Sequence, residues 1–338
     1  MIYNKTTDLI GNTPILRIAV PHKKSALFLK IEKNNPGGSM KDRMARNMVI
    51  AGLKSGKIKP KSTIIESSSG NTGIGLALAA IEFDLHFIAV VDHHAAPDKI
   101  AIMKALGAEI RYVIGDYQED EVAVVERQRL ASELASQLPN ATFMNQSDNA
   151  ANSGGYAALV CELIEQIGRI DAYIGCVGTG GSMTGVSQGL KSHNPQTITV
   201  AVEPEGSIIF GYPGKPYYQS GTGTPEGDEV GLVLDYSCID HNTQVSDIQA
   251  FETARYIASQ YGLLIGGSTG GIVYKALEYI NNDTIHGNIV VIVADGGEKY
   301  LNTVFNEQWL SSRNLTSPDI SHQLNHWLTN TVSLEKAS

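Results

Sequence analysis

Short apolar runs recur along this chain, and the stretches between them carry apolar residues at helical spacing. Residues 26–31 (Ala-Leu-Phe-Leu-Lys-Ile) form one such run, and 63–66, 86–91, 109–113, 172–177, 197–202 and 288–293 form others. Runs of this length, bounded by turn residues, predict buried strands. Helical patterns follow over 41–55, 74–80, 97–107, 120–138, 154–167, 183–192, 247–261 and 272–280. Gly56 and Pro60 stop the first of them, and Gly107 closes the third. Strands alternating with helices predict an α/β fold with parallel sheets covered on both faces. The stretch 8–14 is turn-rich and precedes the short apolar pair Ile15-Leu16. Segment 206–238 is rich in glycine and proline and predicts no regular element. A connection that long in a compact domain is functional or mobile. The polar stretch 314–338 is expected to be a loosely attached tail.

The length of 338 residues suits two domains. A net charge of -9, from 26 basic and 35 acidic residues, argues against a nucleic-acid or anionic-membrane surface. No apolar run approaches the roughly 20 residues that span a bilayer. Residues 1–5 lack the apolar core of a signal peptide. Cys161, Cys176 and Cys238 have no metal-ligand spacing, and so sparse a set suits a reducing cytoplasm. The nine histidines, adjacent His93 and His94 included, form no helical His-x-x-x-His pattern, so no metal is expected.

Lys41 changes the picture. It follows the turn Pro36-Gly37-Gly38-Ser39-Met40 and opens a predicted helix. A cation there opposes the helix dipole, which favours a neutral and hence nucleophilic amine. Alone this would mark an ordinary surface lysine. Three loops rich in glycine and hydroxyl residues, at 67–73, 178–182 and 266–271, shift the balance. Each precedes a predicted helix, where free backbone N–H groups and the dipole bind anions. In open α/β sheets such loops line the crevice at the strands' carboxyl ends. A dinucleotide fingerprint fails, because Met183 stands where its third glycine belongs. No phosphate loop ending Gly-Lys-Ser/Thr follows a strand either.

These blocks carry a resemblance. Ile10-Gly11-Asn12-Thr13-Pro14, Asn35 through Arg43, Ser68 through Gly73, Gly178 through Ser182, Gly266 through Gly270 and Asp295-Gly296-Gly297 stand in the order of one family. From about residue 7 to 310 the chain resembles the fold-type II pyridoxal-phosphate enzymes of the cysteine synthase and cystathionine β-synthase family, tryptophan synthase β-like in fold. The resemblance implies a smaller α/β domain over 38–150 that carries the substrate-carboxylate loop. It implies a larger cofactor-binding domain over 1–37 plus 151–313, a cleft between them, and a cytoplasmic homodimer. Lys41 matches the lysine that forms the Schiff base with pyridoxal 5′-phosphate. Gly178, Thr179, Gly180, Gly181 and Ser182 match the loop that holds the cofactor phosphate. Asn71 matches the contact to the ring hydroxyl, and Ser268 the hydroxyl facing the pyridine nitrogen. Ser68, Ser69, Gly70, Thr72 and Gln146 match the grip on the α-carboxylate of an amino-acid substrate. A neutral serine at the ring nitrogen makes the ring a weaker electron sink, which favours prompt β-elimination over a long-lived carbanion. The implied reaction is β-replacement on an O-activated L-serine, O-acetylserine or O-phosphoserine, through a bound aminoacrylate, with Lys41 as general base.

Alternatives stand beside each of these. Ser68 and Ser69 suit a helix cap equally well, and Asp295-Gly296-Gly297 suits a strand-ending turn. Glu205 through Gly211 and Gly266 through Gly271 lean away from a housekeeping cysteine synthase. They lean toward cystathionine β-synthases and toward a siderophore-pathway enzyme that joins O-phosphoserine to glutamate for 2,3-diaminopropionate. Gly178 stands where a serine is expected in the latter. Pro225-Glu226-Gly227-Asp228-Glu229 is individual to this chain, which leaves the nucleophile open among sulfide, homocysteine and an amino acid. Lys215 is a candidate charge for a phosphate leaving group or an acidic acceptor. A non-catalytic binding protein of the same fold is the rival of another class. Retention of Lys41, Asn71, Gln146 and Ser268 together argues against it.

Overall fold

The alternation resolves into two sheets. A computed structural model describes residues 2–93, 95–115 and 123–329. The chain begins with β1 (Ile15–Ala19) and β2 (Ala26–Lys30), an antiparallel pair, followed by helix α1 (Lys41–Lys54). It then builds a four-stranded parallel sheet. Strand β3 (Thr63–Ser67) leads to α2 (Asn71–Glu82), β4 (His86–Val91) to α3 (Pro97–Ala105), and β5 (Glu109–Tyr112) to α4 (Val124–Gln137), with β6 (Ala141–Phe143) closing the order β5-β4-β3-β6. The predicted start of α4 at residue 120 lies outside the described residues. Helices α5 (Ala151–Gly154) and α6 (Ala157–Ile167) lead back to the other sheet. There β7 (Ala172–Cys176), α7 (Gly181–His193), β8 (Ile198–Pro204), β9 (His241–Val245), α8 (Asp247–Tyr261), α9 (Gly267–Asn281) and β10 (Asn288–Ile292) complete the order β1-β2-β10-β7-β8-β9. Every pair except β1–β2 is parallel.

Central strands are apolar throughout because helices cover both faces. In β10, Ile289, Val290 and Val291 are wholly buried, and so are Ile64 and Ile65 of β3. The edge strands β6 and β9 lack this signature and go unpredicted, while the edge strand β5 is predicted but is not buried as expected, with Arg111 and Tyr112 exposed. The sequence of β9 is His-Asn-Thr-Gln-Val, with His241 and Asn242 exposed. Polar edges limit unwanted pairing with other chains.

Two further expectations change. The stretch 266–271 is not a loop, because α9 already begins at Gly267. A Cβ on Gly270 would stand 2.0 Å from the carbonyl oxygen of Ala250. Glycine is there to let α9 press against α8. The tail is not loose over its first part. Helix α10 (Glu307–Ser311) is followed by α11 (Pro318–Leu328), which buries Leu324, Trp327 and Leu328. The Trp327 ring lies 5.5 Å from that of Tyr274. Those apolar positions recur at i, i+3 and i+4 among polar neighbours, a narrow stripe that average polarity hides. Segment 206–238 has one short helical turn, at Tyr236–Cys238, yet it buries Ser207, Ile209, Thr222 and Leu234. Among the described residues no helix is long and apolar enough to cross a membrane.

Candidate active site

Lys41 is the first residue of α1, and the end of β10 forms its floor. The Met40 N–H donates to the Ala294 carbonyl at 2.8 Å, and Ser39 bridges to Asp295. Lys299 donates to the carbonyls of Gly37 and Gly38 at 3.0 and 3.2 Å. Lys41 as a residue keeps some exposure, but its amine is the enclosed end. Burial lowers the amine's pKa, while nearby Cys176 and Asp295 pull the other way. Burial therefore carries the effect that the sequence argument assigned to the helix dipole.

The predicted residues converge in two linked groups. In the first, Asn71 opens α2, donating to Asp295 Oδ2 at 2.8 Å and accepting from Lys299 at 2.7 Å. Asp295 also accepts from the Tyr300 hydroxyl at 2.6 Å. Ser268 is buried in the first turn of α9 and lies near Cys176 at the end of β7, whose thiol burial pushes up against the pull of Lys41 and Ser268. In the second group, Thr72 donates to Gln146 Oε1 at 2.7 Å. Asn152 then donates to the Gln146 carbonyl at 2.7 Å and reaches Thr179 at 3.4 Å. This ties the 68–72 loop to the 178–182 loop.

Ser68 and Ser69 differ in what they do. Ser68 Oγ accepts from the N–H groups of Gly70 and Gly73, both at 3.2 Å, so it finishes the start of α2 as a cap would. Ser69 Oγ accepts from Arg127 Nη1 at 3.3 Å. Lys215 does not join the site. It is 58% exposed and pairs with Glu205 at 2.9 Å. Among the described residues no cluster of His, Cys, Asp or Glu suits a metal.

The residues around Lys41 fit a phosphorylated aldehyde cofactor. No side chain caps the first turn of α7, so its N–H groups remain available to an anion. The approach to them must stay bare. Gly180 has φ +86, and a Cβ on Gly181 would stand 2.0 Å from Asn152 Oδ1. That buried Oδ1 has no partner among the described residues. In such a fit the desolvated amine would be the attachment point, and the N–H groups of Gly178 through Ser182 would cradle the phosphate.

Several residues here escaped the sequence reading. Glu66, next to last in β3, is fully buried and accepts the Gln146 N–H at 3.1 Å. Burial raises its pKa to about 8, against the pull of that N–H and of Arg127. Lys99 lies 4.7 Å above the Tyr300 ring, and burial lowers its pKa against the pull of Asp295. A lone charge inside a helix or strand has no local signature, so only the fold reveals these residues.

Residues 6–296 match the sequence family described as "Pyridoxal-phosphate dependent enzyme". A protein of Sinorhizobium fredii named "Putative cysteine synthase" is 67% identical over 329 residues, 97% of this chain and 98% of that one. The "O-acetylserine dependent cystathionine beta-synthase" of Bacillus subtilis is 37% identical over 303 residues, covering 87% and 95%. The crystal structure of the O-acetylserine dependent cystathionine beta-synthase of Helicobacter pylori superposes with a TM-score of 0.81. It is 32% identical and covers 90% of this chain and 98% of its own. Sequence and structure agree along nearly the whole length: the chain belongs to the family of pyridoxal-phosphate dependent enzymes, and pyridoxal 5′-phosphate is its cofactor.

Proposed function

We propose that this enzyme replaces the β-substituent of an O-activated L-serine, O-acetyl-L-serine first among them, with a sulfur nucleophile. The observation that supports the reading is the desolvated Lys41 amine, together with a Thr72–Gln146 bond on the loop before α2 and the uncapped start of α7. The names of the relatives, a cysteine synthase and O-acetylserine dependent cystathionine β-synthases, support it. Pyridoxal phosphate, when bound, supplies the electron sink that makes an amino acid's α-proton removable.

The chain's own residues then divide the work. Lys41, with lowered proton affinity, takes the α-proton and later returns it. Thr72, Gln146, Ser69 and the N–H groups near Gly70 hold the α-carboxylate, with Ser68 shaping that turn. Glu66 fixes Gln146 through its N–H. The N–H groups of Gly178 through Ser182 hold the phosphate, Asn71 meets the ring hydroxyl, and Ser268 offers the ring nitrogen a neutral partner. The loop at 68–72 closes over the carboxylate and excludes water. The chain divides into the units 38–150 and 1–37 plus 151–313, which move against each other in that closure. The protein acts as a cytoplasmic homodimer on small-molecule substrates.

An absorbance titration of the purified holoenzyme tests this. O-acetylserine should replace the resting visible band with a new one, and added thiol should restore the first. A protein that stays colourless with added pyridoxal phosphate, or a band that no O-activated serine moves, overturns the reading.

A further inference from the structure

Lys299 carries a charge that the reaction above does not use. It stands on the short helical turn Gly297–Tyr300, which follows β10. An ammonium has three N–H donors, and the structure gives this one three acceptors. Two are the Gly37 and Gly38 carbonyls of the turn before Lys41, at 3.0 and 3.2 Å. The third is Asn71 Oδ1 at the start of α2, at 2.7 Å. The turn is bare where the ammonium enters, and a Cβ on Gly38 would stand 3.3 Å from Lys299 Nζ. Burial lowers the Lys299 pKa against the pull of Asp295, Asp42 and Glu298, and Lys99 adds to the lowering. A neutral amine has only two N–H groups, however, and three carbonyl oxygens ask for three.

The Lys299 contact decides which end of the Asn71 amide points where. Amide oxygen and nitrogen are told apart by their partners. An ammonium only donates, so it must face Oδ1. The nitrogen then meets Asp295 Oδ2 at 2.8 Å, the same oxygen that accepts from the Tyr300 hydroxyl at 2.6 Å. Lys99 lies over the ring of that tyrosine, 4.7 Å from its centroid. Asn71 is left with one N–H to offer, and a cation is bonded to its carbonyl. An amide polarised in this way is a stronger donor. An acidic hydroxyl that receives such a bond beside a positive charge is favoured in its ionised form. Asp295 opposes this, with two donors already drawing on its Oδ2.

We propose that Lys299 is a positioning residue for the cofactor ring: it turns the Asn71 amide nitrogen toward the ring hydroxyl and sets a cation behind it, which keeps the ring oxygen ionised. This rests on the reading in which Asn71 meets that hydroxyl. The same ammonium fixes the turn that carries Lys41, so one side chain sets the amine and the ring in a common frame.

The test is a pH titration of the visible spectrum of the resting holoenzyme, with no substrate present. Rings with ionised and protonated hydroxyls absorb at different wavelengths, so the ratio of the two bands reports the oxygen. Lys299→Met should move the midpoint between the bands up by roughly one pH unit, a 10-fold change in that ratio. Lys299→Arg should return most of the shift. Lys299→Gln keeps donors without the charge and should shift the midpoint in the same direction as Lys299→Met. Asn71→Ala should shift it too. An unmoved midpoint in Lys299→Met overturns the proposal even where turnover falls, since a merely structural loss lowers the rate without touching the band. If Asn71→Ala moves the midpoint and Lys299→Met does not, the proposal alone falls. If neither moves it, the assignment of Asn71 to the ring hydroxyl falls as well. β-Replacement is judged separately, by the response of the wild-type band to O-acetylserine. If Lys299→Met does not fold, Lys299→Gln decides alone.

Discussion

Two groups of buried charges lie a few residues apart, and they are built on opposite plans. Behind Lys41, Arg43 donates to Glu32 at 2.6 and 2.8 Å and to Glu162 at 2.8 and 2.9 Å. Lys30, wholly buried, adds a 2.6 Å bond to Glu162. Burial alone would raise the Glu162 pKa, but the bonds from Arg43 and Lys30 drive it down to about 2. Lys30 is the one member whose burial outweighs its partners, so its own pKa falls. Around Lys41 the plan reverses. Lys41, Lys99 and Glu66 are buried with too little opposite charge, and each shifts toward its neutral form. Paired charges hold the site still, and unpaired ones leave it a proton to move.

Changes on either side should separate rate from stability. The largest effect is expected from Lys41→Ala, which should lower turnover by about 10²–10⁴-fold. The unfolding midpoint should rise or stay unchanged, because an uncompensated buried amine is gone. Steady-state rates and calorimetry on one preparation read both. Glu162→Ala should do the reverse, costing about 3–5 kcal/mol of stability by stranding Arg43 and Lys30. Urea unfolding followed by fluorescence measures it.

The two plans also predict opposite slopes with pH. Glu66 is protonated in the folded state up to about 8 but ionises near 4.5 once unfolded. The folded state therefore binds the extra proton, and stability falls as pH rises between those values. Glu162 is ionised when folded down to about 2 but takes a proton near 4.5 when unfolded. Its contribution is present above 4.5 and is lost as pH falls toward 2. Glu66→Gln should flatten the alkaline slope by at least about 1 kcal/mol, and Glu162→Gln the acid one. Unfolding midpoints from pH 3 to 9 give both. The smallest effect is expected at Arg129, which pairs with Glu126 and Glu133 on the exposed face of α4. Arg129→Ala should leave the midpoint where it is, so a measurable drop there would blur the contrast between buried and exposed pairs.

How much of this the sequence revealed follows from how local each signal is. Strands such as 86–91 announce themselves because burial on both faces leaves an apolar run, and the helix beginning at Lys41 does so by its helical spacing and its stop at Gly56. The 178–182 loop is equally legible, since crowding at Gly180 and Gly181 before α7 leaves no room for side chains. By contrast, β9 is polar because it is an edge, and α11 buries three apolar residues in a polar setting. The glycines at 266–271 misled for another reason: close helix packing and anion loops ask for the same residue. Asp295, Arg127 and Glu66 gain meaning from neighbours far along the chain, which no spacing rule reaches.

The Lys299 bond to Gly37 joins residues 262 positions apart. It follows that a nascent chain carries its reactive lysine long before it carries the strand and turn that enclose it. Until the ribosome has delivered Ala294 and Asp295, the amine has no floor and stays an ordinary solvated cation. Enclosure of that amine thus waits until synthesis has passed residue 295.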